Sequence, residues 1–296
     1  MNVSEDRINL WARPISETEE EKCSYAINQI TEAVRKRFGN TVRIIHQGSH
    51  RNRTNVRADS DVDLAAVYTD SYFSDITALA FVDQEAHWNN LIPATYSFDQ
   101  YKQDVHQLLQ KEFGLLSVNR KNKCIRVEGN TYRVPADVVP AFVSNRYGSP
   151  GSVSHEGVGF IADNDSVVKH SFPDHHYASG VRKNDQTKNV YKVVVRVLKN
   201  ARNEMVEKNL ISKDLMPSFF LECLVWNAPE DCFQNPTYRE DARSVAAAIW
   251  SHMNDVNIHK NYKEVSELEW LLRQSHRTPV AAGEFMLKVF HYLEAQ

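Results

Sequence analysis

The sequence is poor in cysteine, and its cysteines are too scattered to make a metal cage. Cys23, Cys124, Cys223 and Cys232 are the whole set in 296 residues, with no CxxC pair and no tight Cys/His cluster around any of them. A structural zinc site is not expected. In a chain of this size an even count does not imply disulfides either, so buried free thiols are the reading. Long apolar runs are also missing. None approaches the about 18 residues that a membrane-spanning helix needs, and residues 1–13 are polar, with no hydrophobic signal core. The chain reads as cytoplasmic, with no membrane partner. Nor is there an excess of basic charge. Lys and Arg number 35 against 38 Asp and Glu, a formal net charge of −3, which argues against an obligate nucleic-acid binder. No internal repeat and no Gly/Ser-rich linker divides the chain.

What is present suffices for a full core: 42% of residues are hydrophobic and 25% charged. One large domain or two packed lobes are expected. Residues 17–38 read as a helix, with Ser16 as N-cap and Glu19 in capping-box position. Residues 42–46 and 62–68 read as strands, and 99–113 as a helix, while 78–86 fits either state. Residues 118–127 and 132–139 suggest a hairpin turning at Glu128-Gly129-Asn130. From about residue 187 helical periodicity takes over, at 187–208, 217–227, 237–256, 263–274 and 282–294, with Trp226, Trp250 and Trp270 as core. The expected architecture is α+β: a catalytic lobe over 1–185 and a helical lobe over 186–296. Between them, 144–186 is polar and reads as a long irregular loop, of the kind that often serves function.

The chemistry concentrates between residues 47 and 63. Gly48, after a strand, allows a sharp turn and a close backbone approach to phosphate, and Ser49 adds a hydroxyl and an amide. Asp61 and Asp63 then alternate along a strand, which puts both carboxylates on one face. Paired hard oxygen ligands suit Mg²⁺ bound with a triphosphate. Asp137, within Val134-Pro135-Ala136-Asp137-Val138, follows the hairpin turn with apolar neighbours and reads as a strand-borne acid, or else a turn or hairpin residue.

The run Gln47-Gly48-Ser49, Thr54 and Asp59-Ser60-Asp61-Val62-Asp63-Leu64 resembles the signature of polymerase-β-like nucleotidyltransferases. More narrowly, the chain resembles the bacterial CD-NTases, relatives of cyclic GMP-AMP synthase. The segments that carry this are Trp11-Ala12-Arg13-Pro14, Pro173 through Asn184, Tyr191-Lys192, Arg196 through Lys199 and Pro217 through Glu222. The resemblance implies a sheet lobe packed on a helical lobe with the active site in the cleft between them. It implies two Mg²⁺ ions, with Mn²⁺ as a substitute, held by Asp61, Asp63 and Asp137. Nucleoside triphosphates, ATP among them, would be joined into a cyclic di- or trinucleotide, a second messenger for a cyclic-nucleotide-responsive effector in anti-phage defence (CBASS). Transfer of a nucleoside monophosphate to RNA, a protein or a small molecule is the alternative.

By the same resemblance Gln47, Gly48 and Ser49 would bind nucleotide, joined by Lys199 and Ser218 at the triphosphate. Lys199 also fits a surface lysine, and Ser218 a plain N-cap. Ser179 stands where related enzymes that use pyrimidines carry Asn, which points to purine use; it could instead cap a turn at Gly180. His175 and His176 read as loop packing or base stacking rather than metal ligands. The zinc-binding insertion of the animal DNA sensor has no counterpart here, so no double-stranded DNA activator is expected, and a monomer is.

Overall fold

The structure is a computed structural model that describes residues 3–56, 61–273 and 277–294. Asp59, Ser60 and Gln274 lie outside the described residues. The elements in chain order are α1 (Glu5–Trp11), α2 (Glu17–Phe38), β1 (Val42–Gln47), α3 (Gly48–Asn52), β2 (Val62–Asp75), α4 (Phe81–Asn89) and α5 (Phe98–Phe113). There follow β3 (Val118–Arg120), β4 (Ile125–Val127), β5 (Ala136–Ser149), β6 (Ser152–Ile161), β7 (Val168–Ser171) and α6 (Pro173–Gln186). The last are α7 (Tyr191–Glu207), α8 (Ser218–Trp226), α9 (Tyr238–Met253), α10 (Val256–His259) and α11 (Pro279–Tyr292). None of the described helices is long and apolar enough to cross a membrane.

Two compact units result. The sheet unit is Ser16–His50 with Ser60–Pro173, and the helical unit is Met1–Ile15, Arg51–Asp59 and Asp174–Gln296. One boundary between the units lies between Pro173 and Asp174, at the start of α6, and the start of the chain goes with the helices. Two buried arginines explain the second point. Arg196 of α7 donates from Nε (2.9 Å) and Nη2 (2.6 Å) to the Ala12 carbonyl, and from Nη1 to the Arg53 carbonyl at 2.7 Å. Arg239 of α9 donates to the carbonyls of Val3 (2.6 Å) and Leu293 (2.9 Å) and to Glu5 Oε2 (2.7 Å). Carbonyls that would otherwise be stranded in a core thus find donors. Ile8 and Trp11 join Val195, Leu198, Leu221, Leu224, Ala246 and Val289 in one apolar core.

In the sheet unit the described strands form one mixed sheet, β1-β2-β5-β4-β3, with β6 on the far stretch of β5 and β7 on β6. β2 and β5 run parallel, and both faces of β2 are buried over Leu64–Val67. α2 begins with the expected capping box on Ser16 and Glu19. α5 docks through Tyr101, whose hydroxyl donates to the Ala66 carbonyl at 2.9 Å.

Two expectations fail here, and a third holds in part. Residues 144–186 are not an irregular loop: β5 runs to Ser149, turns with Gly151 at φ +68°, returns as β6, and α6 follows β7. Pairing with β5 and β7 overrides the polar composition, because an antiparallel strand can keep polar residues on a solvated face. The hairpin expected about 128–130 is there, since β4 pairs antiparallel with β5, but its first arm is two short strands, β3 and β4, around a turn closed by Lys121 N–H to Cys124 C=O at 2.8 Å. The described residues of 263–274 contain no helix. Asn227 bonds both the N–H (3.1 Å) and the C=O (2.7 Å) of Lys263, and Glu267 takes φ +65°. Trp270 consequently lies outside any helix, beneath Lys263 and Arg273. Trp250 is 43% exposed, and of the expected core series Trp226 alone packs on the core.

Replacing Arg196 by Met should cost about 2–4 kcal/mol, since charged hydrogen bonds to buried carbonyls are lost. Urea unfolding of the variant against wild type reads this directly. A change below about 0.5 kcal/mol, the range of a surface substitution, would show that the start of the chain is held by something else.

Candidate active site

The β-sheet register builds one row of side chains. Gln47 of β1 pairs with Asp63 of β2, Asp63 pairs with Asp137 of β5, and Asp137 pairs with Arg126 of β4. Residues directly opposite across strands point to the same face, so Gln47, Asp63, Asp137 and Arg126 share one side of the sheet. Asp61, two residues before Asp63, belongs to that side too. All three acids are partly exposed.

Gly48 comes next to this row. Its φ is +72°, a left-handed backbone open to glycine, and a Cβ there would lie 1.9 Å from Asp63 Oδ2. The chain leaving β1 thus presses its backbone directly against an acid, with Ser49 beginning α3 beside it. Behind the turn, His50 is buried and its Nδ1 lies 3.0 Å from His46 Nε2, its Nε2 3.1 Å from Glu20 Oε2. Cys124 lies beside the acids, its thiol pushed up to about 12 by burial and by Asp137.

Sequence reasoning missed Arg126. Its Nη1 donates to Asp61 Oδ2 at 3.2 Å and to Asp137 Oδ1 at 3.1 Å. The signal was present, since Ile125-Arg126-Val127 and Ala136-Asp137-Val138 alternate alike and so send the charged members to one face.

The helical unit holds the other candidates. Lys199 is no surface lysine: it is 2% exposed, and its Nζ donates to Glu222 Oε2 at 2.8 Å and Thr54 Oγ1 at 3.4 Å. Thr54 also donates to Glu222 Oε2 at 2.7 Å, while His176 Nε2 lies 3.1 Å from Oε1. Burial alone would raise the Glu222 carboxyl, but the charges and hydrogen bonds of Lys199 and His176 hold it well below the usual range. His176 is therefore a helix residue with a structural partner rather than part of a loop.

Ser218 is the first residue of α8, and the N-cap is Pro217, so the plain-cap reading of Ser218 fails. Ser179 is buried inside α6 and accepts from Arg182 Nη2 at 3.2 Å; it caps no turn, because Gly180 is helical as well.

Comparison with known proteins fits this layout. A family profile described as the cGAS/DncV-like nucleotidyltransferase C-terminal helical domain matches residues 178–294. A cyclic dipurine nucleotide synthase from Elizabethkingia meningoseptica is 41% identical over 297 residues, spanning 100% of both chains. The chain belongs to the CD-NTase family. A cyclic dipyrimidine nucleotide synthase, CdnE, from Cecembia lonarensis is 31% identical over 98% of each chain. The solved E. meningoseptica CdnE cyclic dinucleotide synthase with GTP and Apcpp superposes with a TM-score of 0.83, covering 99% of this chain and 100% of that one. Like its relatives, this CD-NTase is a nucleotidyltransferase with a polymerase-β-like fold.

Among the described residues no three His, Cys, Asp or Glu side chains are drawn together closely enough to hold a metal ion as they stand. The donor set still fits a hard divalent cation. Three carboxylates share one face, and a cation, the Arg126 guanidinium, already stands between two of them.

Two outcomes are expected. Gly48→Ala should lose at least about 1–2 kcal/mol from the left-handed backbone alone. The further loss from the clash should vanish in an Asp63→Gly background; urea-derived stabilities of the four variants give the coupling, and strict additivity would rule out the contact. Glu222→Gln should cost about 3–5 kcal/mol near neutral pH, because Lys199 keeps its buried charge without its partner. The folded Glu222 pKa lies below the ordinary 4.5, so its contribution is complete above that value and is lost as pH falls. The stability gap between wild type and variant should therefore narrow below about pH 4.5; a gap that ignores acid would remove Glu222 from this role.

Proposed function

We propose that this CD-NTase joins nucleoside triphosphates, ATP among them, into a cyclic di- or trinucleotide with release of pyrophosphate. The observation that carries the reading is the Asp63–Asp137 pairing with Gly48 pressed against it, in a chain 41% identical, end to end, to a cyclic dipurine nucleotide synthase.

Asp61, Asp63 and Asp137 would hold divalent cations, whose chemistry when bound is to neutralise the triphosphate and to favour the ionised acceptor hydroxyl. The protein's own part is positioning. The Gly48 and Ser49 amides and the Ser49 hydroxyl donate to phosphate oxygens, with Gln47 beside them in the row. Ser218 offers a hydroxyl and free amides in the first turn of α8, where anions are favoured. Lys199 adds positive charge to the triphosphate, a charge that Glu222 partly neutralises. Its truncation would also strand a buried carboxylate, so Ser218→Ala is the cleaner probe of the triphosphate grip. A linear dinucleotide forms first and closes when its free hydroxyl attacks its own 5′ end. The product then serves as a second messenger to an effector in anti-phage defence.

Purine use is supported by Ser179, which is shorter than the Asn of related pyrimidine users and has no amide to pair with uracil. It is supported too by the similarity to a dipurine synthase at 41% identity against 31% and 30% for two dipyrimidine synthases.

Incubation with all four ribonucleoside triphosphates and Mg²⁺, followed by mass analysis, should give a small, phosphatase-resistant cyclic product containing adenine. Asp61→Asn with Asp63→Asn should give none, and Ser179→Asn should raise UTP incorporation relative to ATP. A product attached to RNA, protein or a small molecule would replace the synthase reading, and a purely pyrimidine product would refute the purine one.

A further inference from the structure

Arg126 has no part in the positioning described above, yet it is the residue most tightly bound up with the acids. Its Nη1 bridges Asp61 and Asp137, and its Nε faces Glu128 Oε2 at 3.6 Å. The group is not sealed in a core. Side-chain exposure is 26% for Arg126, 34% for Asp61, 24% for Asp137 and 43% for Glu128. The guanidinium can therefore shift without opening packed structure. Glu128, just past the end of β4, faces the same guanidinium and offers a second anionic anchor away from the aspartates.

The oxygens that Arg126 holds are those a hard divalent cation needs. Such an ion, if held by Asp61, Asp63 and Asp137, would compete for the same oxygens and would repel a guanidinium a few ångströms away. Both cations cannot hold Asp61 and Asp137 at full strength. We propose that Arg126 is the resident counter-cation of the acid cluster: it neutralises Asp61 and Asp137 in the metal-free protein, moves toward Glu128 when a divalent ion enters, and so sets the metal affinity by competition. This rests on reading Asp61, Asp63 and Asp137 as metal ligands. It explains how acids brought to one face of the sheet stay there before any metal arrives. It also makes Arg126 and Glu128 act in opposite directions on metal binding, which a purely structural arginine would not do.

The test is Mn²⁺ binding without nucleotide, followed by electron paramagnetic resonance of the free ion, with melting curves in chelator alongside. Arg126→Gln should bind Mn²⁺ about ten-fold tighter or more, the value of one charged hydrogen bond removed from competition. It should melt lower than wild type in chelator and gain more from Mn²⁺. Glu128→Gln should bind more weakly than wild type, because the displaced guanidinium loses its refuge. Arg126→Lys keeps the charge but not the two-armed grip; it should fall between wild type and Arg126→Gln, and it carries the test if Arg126→Gln does not fold. Binding by Arg126→Gln, or by Arg126→Lys in its place, that equals or falls below wild type would overturn the proposal, since the arginine would then orient the acids for the metal rather than compete with it. Asp61→Asn with Asp63→Asn separates the two layers. If Mn²⁺ binding needs those acids but ignores residue 126, competition alone fails; if wild type binds no Mn²⁺ at the acids, the metal-ligand reading fails with it.

Discussion

Hydrogen bonding between the parallel strands β2 and β5 forces the Asp63 and Asp137 carboxylates side by side onto one face of the sheet. A slip of one residue would swap the two faces of β2 and send Leu64 and Val67, both fully buried, into packing shaped for other side chains. The repulsion between the acids is therefore a fixed cost of the fold. Around it the sequence supplies what makes that cost bearable: a guanidinium on the next strand, and partial exposure that leaves water to screen the charges. The glycine turn is fitted to the same constraint, since its backbone lies where any side chain would meet Asp63.

The helical unit treats charge in the opposite manner. Lys199, Glu222, His176 and Thr54 form a buried set in which the two Glu222 oxygens are both engaged. Arg196 and Arg239 spend their donors on backbone carbonyls. These groups are satisfied and enclosed, and removing one partner leaves another stranded. The acids of the sheet unit are accessible and only partly neutralised. One arrangement is closed to water, the other open to it.

Local signals were the most legible. The Ser16 capping box, the extents of α2 and α5, and the alternation of Asp61 and Asp63 follow from short-range chemistry, whereas Asp137 joins them through the register of β5 with β2. Features that depend on remote partners were not legible. β6 looks like a polar loop until β5 is there to pair with it. Residues 263–273 have helical periodicity, but Asn227, 36 positions away, takes the backbone of Lys263 out of that competition. Lys199 looked like a surface lysine because its partner Glu222 is 23 residues on; Arg126 was legible in principle, from the hairpin and the matching alternation of its two arms, once the register Arg126↔Asp137 is set.

The clamp on the start of the chain bears on how the protein comes to be made. Residues 3–12 leave the ribosome long before their partners: the Ala12 carbonyl waits 184 residues for Arg196, and the Val3 carbonyl 236 residues for Arg239. The sheet unit is complete by Pro173 and can close during that interval, since domains tend to fold as units while synthesis proceeds. Ile8 and Trp11 meanwhile remain exposed apolar side chains with nothing to bury them. Slow elongation through α7–α9 would lengthen that exposure, which makes this stretch of about ten residues the part of the nascent chain for which a chaperone has most to do.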